Sequence, residues 1–380
     1  MKNKVFAGIV LGVLILPNLL FFALRGHIDT TNRENRAYAA FPELSVSNYQ
    51  NISSGLEAYY TDRLPFKNQL KRLSSGLDHV WAIGKSNYET YYAMDTVTEG
   101  KDKWLFYTVT QADENSVTEL FGRNLYSEEE LAALASQATS AQTFLAKRGA
   151  QLVLLYPPSK EFIYDDYLPQ DIQESMTDYP RCEQLADYLK ANTSVPVSYP
   201  KEILKQGRSI GDTYYRYDSH WNNIGAVLVL QDILPMVGRD AITLTPEMIE
   251  KYSEDYPRDL IDLLGTWEEE PDTYYGIYYK PEVTYETVEY YNDDDAIYSS
   301  NASDERTVLL LGDSFSWNLV KYLASDFQSV ILATDEEKAA KFFVNNHPDI
   351  VIVETAQRKY DAQEHILAKL EEAIRSLENQ

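Results

Sequence analysis

Three side chains in this sequence have the types that nucleophilic catalysis by serine requires. Asp218 and His220 lie two residues apart in the stretch YDSHWN (217–222), and Ser314 ends the motif GDS (312–314). A serine nucleophile needs a base that accepts its hydroxyl proton and a third group that holds this base in the right tautomer. An aspartate two residues before a histidine can reach it in an extended segment, where both side chains point to one side. The residues therefore predict a Ser314–His220–Asp218 triad.

Each part of this set could also serve a purely structural purpose. Gly, Asp and Ser are favoured in turns and helix caps, and an isolated histidine is commonly a hydrogen-bonded core residue. The surroundings of Ser314 favour chemistry, because the apolar run Thr307–Leu311 indicates a buried parallel strand and a helix-compatible segment follows the turn. Ser314 would then lie at the carboxyl edge of a sheet, beside helix N–H groups that can stabilise an oxyanion.

The carboxyl-terminal third of the chain alternates between strand and helix patterns. After Thr307–Leu311 the predicted elements are a helix, strand Ser329–Ala333, helix Glu336–Asn345, strand Ile350–Glu354 and helix Asp361–Leu377. Such alternation is typical of a parallel sheet with right-handed crossover connections. The predicted fold class is therefore α/β, with a parallel sheet flanked by helices.

Similar elements are predicted upstream. Trp104–Tyr107 is interpreted as the first strand, and a capping box of Ser127 and Glu130 opens a helix that reaches about Lys147. The further elements are strand Gln151–Tyr156, helix Arg181–Ala191 and a short strand at Val195–Val197. Between about residues 257 and 305 a tyrosine-rich, acidic segment is interpreted as an insertion that carries hairpins. Its tyrosines either stack on sugar rings or pack as half-buried strand residues, and the second role suits most of them.

The composition limits the classes of function. With 380 residues, 44% of them hydrophobic, the chain can bury a large core, consistent with one large domain and an accessory piece. A net charge of −25 argues against nucleic acid as a partner. The single cysteine, Cys182, excludes an intrachain disulfide and a zinc site built on several thiolates. Because the histidines also number only five, we expect neither a metal nor a cofactor.

The amino-terminal segment indicates a membrane anchor. Val5–Leu24 is an apolar run of about the length that spans a bilayer core, and Lys2 and Lys4 precede it. No A-x-A-like cleavage site follows, which favours an uncleaved signal anchor over a secretory signal peptide. The lysines favour an inside amino terminus. We expect a single-pass transmembrane helix in residues 1–26, a tether and helical neck in 27–99, and an extracellular catalytic domain in 100–380.

The sequence resembles the membrane-anchored SGNH-like O-acetyltransferases related to the alginate acetylation proteins AlgX and AlgJ, including the DHHW proteins of Gram-positive bacteria. Its two specific motifs are DSHWN (218–222), followed by Gly225, and GDSF (312–315). Ordinary SGNH hydrolases place the serine motif first, whereas in this family Asp-x-His precedes the serine. Ser219 stands where the DHHW name expects histidine, and the catalytic position is the second of that pair. Weaker matches are Glu34-Asn35-Arg36, Gly100 with Trp104-Leu105-Phe106, and Val353-Glu354 with Arg358.

The resemblance implies an SGNH-hydrolase-like fold and acyl transfer by Asp218, His220 and Ser314. His220 would deprotonate Ser314, which would carry an acetyl group and pass it to a hydroxyl of a secreted or cell-wall polysaccharide. The implied partner is an MBOAT-type membrane acyltransferase that delivers the acetyl group. Arg358 matches a family arginine implied to contact substrate. The family's second and third oxyanion donors match no residue of this sequence.

Other residues are candidates for contacting substrate. Lys160 and Tyr164 follow a predicted strand and Pro157-Pro158, and Trp221 adjoins the predicted base. A solvated surface position is the alternative for Lys160. Two other functions also remain open: an acetylesterase in which water replaces the sugar hydroxyl, and a non-catalytic glycan-binding scaffold of a polysaccharide synthesis complex.

Overall fold

The structure is a computed structural model that describes most of the chain after residue 96. The described residues are 97–109, 114–254, 259–264, 272–290 and 295–379, with shorter stretches at 16, 19–21, 23–24, 26, 38–42, 52–67 and 69–70. They divide into two compact units. One unit comprises Met1–Asn87 with Arg258–Glu269, and the other comprises Tyr88–Pro257 with Glu270–Gln380.

Strands and helices alternate through most of the larger unit. The strands of the described residues are β1 (Val97–Glu99), β2 (Leu105–Tyr107), β3 (Gln151–Leu155), β4 (Val197–Ser198), β5 (Ile249–Glu254), β6 (Asp272–Ile277), β7 (Tyr285–Tyr290), β8 (Ala296–Ser300), β9 (Asp304–Leu311), β10 (Phe327–Ala333) and β11 (Ile350–Glu354). The helices are α1 (Ile52–Asp62), α2 (Ser116–Leu120), α3 (Glu128–Ala146), α4 (Lys160–Ile163), α5 (Gln170–Ser175), α6 (Arg181–Asn192), α7 (Lys201–Gly207), α8 (Asn223–Ile233), α9 (Asp259–Leu264), α10 (Ser316–Asp326), α11 (Glu336–Asn346) and α12 (Tyr360–Glu378).

Seven strands form the central sheet in the order β4-β3-β11-β9-β10-β8-β7. The first five are parallel to one another, whereas β8 and β7 are antiparallel to their neighbours. The predicted parallel sheet is therefore wrong for one edge, where the tyrosine-rich segment supplies two strands of the main sheet. Few residues separate β7 from β8 along the chain, and so short a connection allows antiparallel pairing, while parallel pairing needs a longer crossover.

The core lies on both faces of this sheet. In β11, Ile350 and Ile352 pack on the side of α8 and α10, whereas Val351 and Val353 pack on the side of α3, α6, α11 and α12. Helices on both faces explain why the strand is apolar at every position before Glu354. The result is a three-layer α/β/α arrangement.

Most of the predicted elements are confirmed, with small shifts at their ends. The capping box of Ser127 and Glu130 is present at the start of α3. The strand predicted at Trp104–Tyr107 is present as β2, but β1 precedes it in the chain, and the two pair in a separate two-stranded ladder. The short strand predicted at Val195–Val197 corresponds to β4, which begins at Val197.

The smaller unit contains α1, which lies within the segment predicted as a helical neck. The rest of that neck lies largely outside the described residues, as does most of the predicted span Val5–Leu24. Among the residues that the structure describes, no helix has both the length and the apolar character needed to cross a membrane.

Candidate active site

The candidate nucleophile lies in the turn between β9 and α10. Ser314 follows β9 at its carboxyl end, two residues before the first residue of α10. Gly312 lies so close to its surroundings that a β-carbon there would be 2.2 Å from Ser316 Oγ and 2.5 Å from Glu354 Oε2. A side chain at position 312 would therefore force Ser316, Glu354 or the turn itself to move.

A buried carboxyl group holds this turn. Glu354, the last residue of β11, is 1% exposed, and its Oε2 accepts hydrogen bonds from Asp313 N–H at 3.0 Å and from the Ser316 hydroxyl at 2.8 Å. Burial, reinforced by the charge of Asp313, raises the pKa of Glu354 well above its usual range. The turn is thus fixed by an acid whose neutral form is favoured.

Asp313 itself faces away from the candidate triad. Its Oδ1 accepts the Phe315 N–H at 3.0 Å, and its Oδ2 lies 3.1 Å from Lys359 Nζ. Burial alone would raise the pKa of Asp313, but the charges of Lys359 and Arg358 and the Phe315 N–H outweigh it and lower that pKa. Asp313 is therefore a charged residue of the turn.

The candidate base and its carboxylate lie in the loop between α7 and α8. This loop is shaped by a bridge between Tyr214 and Trp221 and by Asn222, whose side chain caps α8 by accepting the N–H groups of Ile224 and Gly225. The Asn222 amide also donates to the Tyr214 carbonyl. Such capping fixes where the loop ends and the helix begins.

The structure brings Asp218, His220 and Ser314 together, although 94 residues separate His220 from Ser314. His220 Nδ1 lies 2.6 Å from Asp218 Oδ1, and His220 Nε2 lies 2.6 Å from Ser314 Oγ. The side chains of His220 and Asp218 are 12% and 3% exposed. Both ring nitrogens of His220 are thus engaged in the order that a serine triad requires.

Trp221 and Phe315 join the two loops. The Trp221 indole donates to the Phe315 carbonyl at 2.9 Å, and the Asn318 amide donates to the Trp221 carbonyl at 2.9 Å. The Phe315 ring also packs against the His220 ring, with centroids 4.8 Å apart. Trp221 is fully buried, so the prediction that it contacts substrate is wrong.

Two other predicted substrate residues are also buried. Tyr164 is 1% exposed, stacks on Trp104 with centroids 4.0 Å apart, and accepts the Thr213 N–H with its hydroxyl. Lys160 is 2% exposed, and its ammonium donates to main-chain carbonyls of the loop that carries Asp218. Their placement in a cleft is wrong because the loop after β3 turns inward and packs beneath the loop 214–222.

Arg358 lies near the turn but is engaged by other residues. It forms an ion pair with Glu114, and its guanidinium lies 5.3 Å from the centre of the Phe315 ring. Burial alone would lower its pKa, but Glu114 and Asp313 raise it, so the group stays charged. Contact with substrate stays a prediction for this residue.

Sequence reasoning missed the roles of Glu354 and Asn318 in fixing the nucleophile turn. For Glu354 a signal was present, since an acid ends a strand that is otherwise apolar. For Asn318 no comparable signal exists, because an asparagine in the first turn of a helix is commonly exposed.

The arrangement has the parts needed for acyl transfer. His220 can accept the Ser314 proton, and Asp218 can stabilise the resulting imidazolium. The Ser314 N–H makes no hydrogen bond to another described residue and lies just before α10. It is therefore a candidate oxyanion donor, assisted by the positive end of that helix.

A family model described as "SGNH hydrolase-like domain, acetyltransferase AlgX" matches residues 97–347. The match includes Asp218, His220 and Ser314, and it ends before β11.

Two relatives are described as probable alginate O-acetylase AlgJ. The protein of Pseudomonas putida is 25% identical over 193 residues, which cover 50% of this chain and 44% of the relative. The protein of Pseudomonas aeruginosa is 27% identical over 183 residues, which cover 47% of this chain and 41% of the relative. The chain thus matches less than half of the length of either relative.

Solved structures are also similar. Bacillus cereus PatB1 is 18% identical with a TM-score of 0.47, covering 72% of this chain and 98% of the PatB1 chain. A DHHW family protein from Eubacterium siraeum is 14% identical with a TM-score of 0.48, covering 73% of this chain and 98% of the other.

Proposed function

We propose, on the premise that the chain belongs to the AlgX family of SGNH hydrolase-like acetyltransferase domains, that it transfers acetyl groups to hydroxyl groups of a polysaccharide. Ser314 is the nucleophile, His220 the base, and Asp218 the group that orients the base. The observation that carries this proposal is the continuous hydrogen-bonded chain Asp218–His220–Ser314, with both contacts at 2.6 Å.

The first half-reaction loads the enzyme. His220 Nε2 accepts the hydroxyl proton as Ser314 Oγ bonds to the acetyl carbonyl carbon, and the carbonyl electron pair moves to oxygen. When the pair returns, the bond to the donor's leaving group breaks, and that group takes the proton from His220. Asp218 stabilises the imidazolium between these steps, and the product is acetyl-Ser314.

The second half-reaction repeats these steps with an acceptor. His220 removes the proton of a sugar hydroxyl, whose oxygen attacks the acetyl carbon of acetyl-Ser314. Collapse of the intermediate returns the electron pair and the proton to Ser314 Oγ. In both halves the Ser314 N–H, near the amino terminus of α10, can stabilise the oxyanion.

The acceptor is inferred from the family and from one exposed residue. The two curated relatives are named for alginate O-acetylation, which makes a polysaccharide hydroxyl the preferred acceptor. Trp317 lies in the first turn of α10, three residues after Ser314, and is 49% exposed. Its indole offers a flat, apolar surface against which a sugar ring can stack.

The location and the donor partner are proposed from the sequence alone. The apolar run Val5–Leu24 and the lysines before it favour a single-pass anchor with the catalytic domain outside the cell. An extracellular site has no access to cytoplasmic acetyl donors. The resemblance to the AlgX and AlgJ acetyltransferases implies that a membrane acyltransferase of the MBOAT type supplies the acetyl group.

The central test is Ser314→Ala with a chromogenic acetyl ester as donor. Turnover should be abolished while the melting temperature stays near that of the unmodified protein. In the unmodified protein, mass spectrometry of a rapidly quenched reaction should find one acetyl group on the peptide that contains Ser314. Unchanged turnover in folded Ser314→Ala would refute the triad, and absence of turnover in the unmodified protein would favour the non-catalytic scaffold.

A second measurement separates transfer from hydrolysis. An added oligosaccharide should become acetylated and should reduce the share of acetyl released as acetate. Trp317→Ala should lower the share transferred to the sugar and leave ester cleavage without sugar nearly unchanged. Release of acetate alone at every sugar concentration would identify an acetylesterase instead.

A further inference from the structure

Lys160 has an ammonium group buried beneath the loop that carries the candidate base. The residue begins α4 directly after the turn that follows β3, and it is 2% exposed. Its Nζ lies 2.7 Å from the Asp218 carbonyl oxygen, 3.1 Å from that of Tyr215 and 3.2 Å from that of Arg216. Three donors of one ammonium therefore meet three acceptors of one loop.

This geometry favours a hydrogen-bond donor that carries a positive charge. Three carbonyl oxygens that converge on one point repel one another, and buried carbonyls without donors carry a desolvation cost. A hydrogen bond from a charged donor is about twice as strong as one between neutral groups. The ammonium of Lys160 thus stabilises the curved main-chain segment Tyr215–Asp218, which would otherwise open.

The path of this main-chain segment determines where His220 lies. Asp218 provides a carbonyl to Lys160 with its main chain and a carboxylate to His220 with its side chain. A shift of this main chain therefore moves the imidazole relative to Ser314, whose Oγ lies 2.6 Å from His220 Nε2. On the other side of the loop, Trp221 is already fixed to Phe315.

We propose that Lys160 is a positioning residue for acyl transfer, whose ammonium ties the Tyr215–Asp218 main chain so that His220 stays in contact with Ser314. This inference rests on the proposed function, since it assigns Lys160 to the support of the same triad. It replaces both the substrate contact and the solvated position considered from the sequence.

The charge of Lys160 adds a second effect. Among the described residues, the charged or titratable ones around it include Tyr215, Arg216 and Asp218 of the loop, Asp272 of β6 and the adjacent Glu161. Burial raises the pKa of Asp272, and the charge of Lys160 opposes this rise. A positive charge below the Asp218–His220 pair also disfavours the imidazolium, so its removal should extend the protonated form of the base to higher pH.

Lys160→Met tests the proposal because methionine keeps an unbranched apolar stem that is one atom shorter, while the donors and the charge are removed. We expect kcat for a chromogenic acetyl ester to fall about 10²-fold, with KM little changed, as for a misplaced catalytic group. The acid limb of the pH profile of kcat/KM should also move to higher pH. The matched control is Lys205→Met, because Lys205 forms a partly exposed ion pair with Asp165 at 2.9 Å and should leave both quantities unchanged.

Chemical rescue separates positioning from general loss of structure. In Lys160→Ala, added ammonium or methylammonium should occupy the space near the three carbonyls and restore part of kcat. Tetramethylammonium has no N–H donor and should not. If Lys160→Met does not fold, Lys160→Gln is measured in its place, since the amide donates to carbonyls without a charge and should shift the acid limb alone.

The outcomes distinguish this inference from the proposed function. If Ser314→Ala is inactive but folded Lys160→Met has unaltered kcat and an unaltered acid limb, only the role of Lys160 is wrong. A rise in KM with constant kcat would likewise overturn it, in favour of a substrate contact. If Ser314→Ala is active, the proposed function fails first, whatever Lys160 does.

Discussion

Two carboxylates lie within a few residues of His220 and Ser314, the candidate base and nucleophile, and the surroundings of each carboxylate differ. Asp218 contacts His220 Nδ1, whereas Asp313 contacts the Phe315 N–H and Lys359. Sequence proximity alone favours neither, because Asp313 adjoins Ser314 directly. The distinction comes from the direction of each side chain.

We expect Asp218→Asn to damage turnover far more than Asp313→Asn. The first change removes the charge that stabilises the imidazolium and fixes its tautomer, which in serine proteases lowers turnover about 10⁴-fold. The second keeps an acceptor for the Phe315 N–H and should cost on the order of 1 kcal/mol of stability. Ester turnover and thermal melting of both variants decide the matter, and a greater loss of turnover in folded Asp313→Asn would show that the wrong carboxylate was assigned.

Gly312→Ala should distort the nucleophile turn. The added carbon would lie within 2.5 Å of Glu354 Oε2, so the turn or the acid must move. Overpacking of this kind costs about 1–3 kcal/mol, and turnover should fall with it. Gly149→Ala is the control, since Gly149 has a φ of +86° with open space around its β-carbon position. It should lose about 1–2 kcal/mol through backbone strain and keep its turnover per folded molecule. Equal turnover in the two variants would contradict the steric argument.

At the scale of elements, a buried polar cluster connects α2 and α6 to the loop after β11. Glu119 of α2 accepts hydrogen bonds from the Gln357 amide and the Cys182 N–H. Gln357 in turn accepts the Ser159 N–H and the Tyr199 hydroxyl with its Oε1. The loop that carries Arg358 is therefore held by a hydrogen bond to Glu119, a group that can ionise.

We expect Glu119→Gln to change how stability depends on pH. Burial raises the pKa of Glu119 to about 7, so the folded chain holds a proton that the unfolded chain releases above about 4.5. Stability from this residue is therefore greatest at acidic pH and decreases as pH rises through about 7. Glutamine imitates the neutral acid, and the variant should gain up to about 3 kcal/mol over the unmodified protein above that pH.

Chemical denaturation at several pH values measures this difference. Glu130→Gln is the control, because hydrogen bonds from Ser127 lower the pKa of Glu130 and its contribution should have the opposite sign. A constant difference between Glu119→Gln and the unmodified protein across the range would show that Glu119 keeps one ionisation state.

The elements differ in how well sequence predicted them, for physical reasons. Strand β11 was predicted with its observed ends, because a short apolar run bounded by polar residues is typical of a buried strand. The contact between Asp218 and His220 could be predicted from the sequence, because the two residues are neighbours in one short segment. The burial of Lys160 and Trp221 could not be predicted, because it depends on how the loop after β3 packs against the loop 214–222. The pairing of β2 with β1 likewise depends on tertiary contacts that local propensity does not encode.

At the scale of the whole molecule, the sheet order explains why the site is where it is. Strands β3, β11 and β9 are neighbours and parallel, so their carboxyl ends lie at one edge. Glu354 is the last residue of β11, and the segments after the three strands contain Lys160, Arg358 and Ser314. Adjacent parallel strands thus place the candidate nucleophile and the residues that contact its surroundings at one edge, as in other open α/β sheets.

The full-length protein should remain with membranes after export. Val5–Leu24 is long enough to cross a bilayer core and lacks a cleavage signature after it. Fractionation of cells, followed by alkaline washing of membranes and amino-terminal sequencing, checks this expectation. A soluble form that begins shortly after Leu24 would identify a cleaved signal peptide instead.

The burial of Cys182 gives the chain a natural probe of its own opening. This cysteine, the single one in the sequence, is fully buried at the start of α6, and burial raises its thiol pKa well above the usual range. Because the thiolate is the reactive form, a thiol reagent can modify the folded protein only through transient opening around α6. The labelling rate therefore reports the free energy of that opening without an engineered tag, and any thiol introduced at the surface would be modified first.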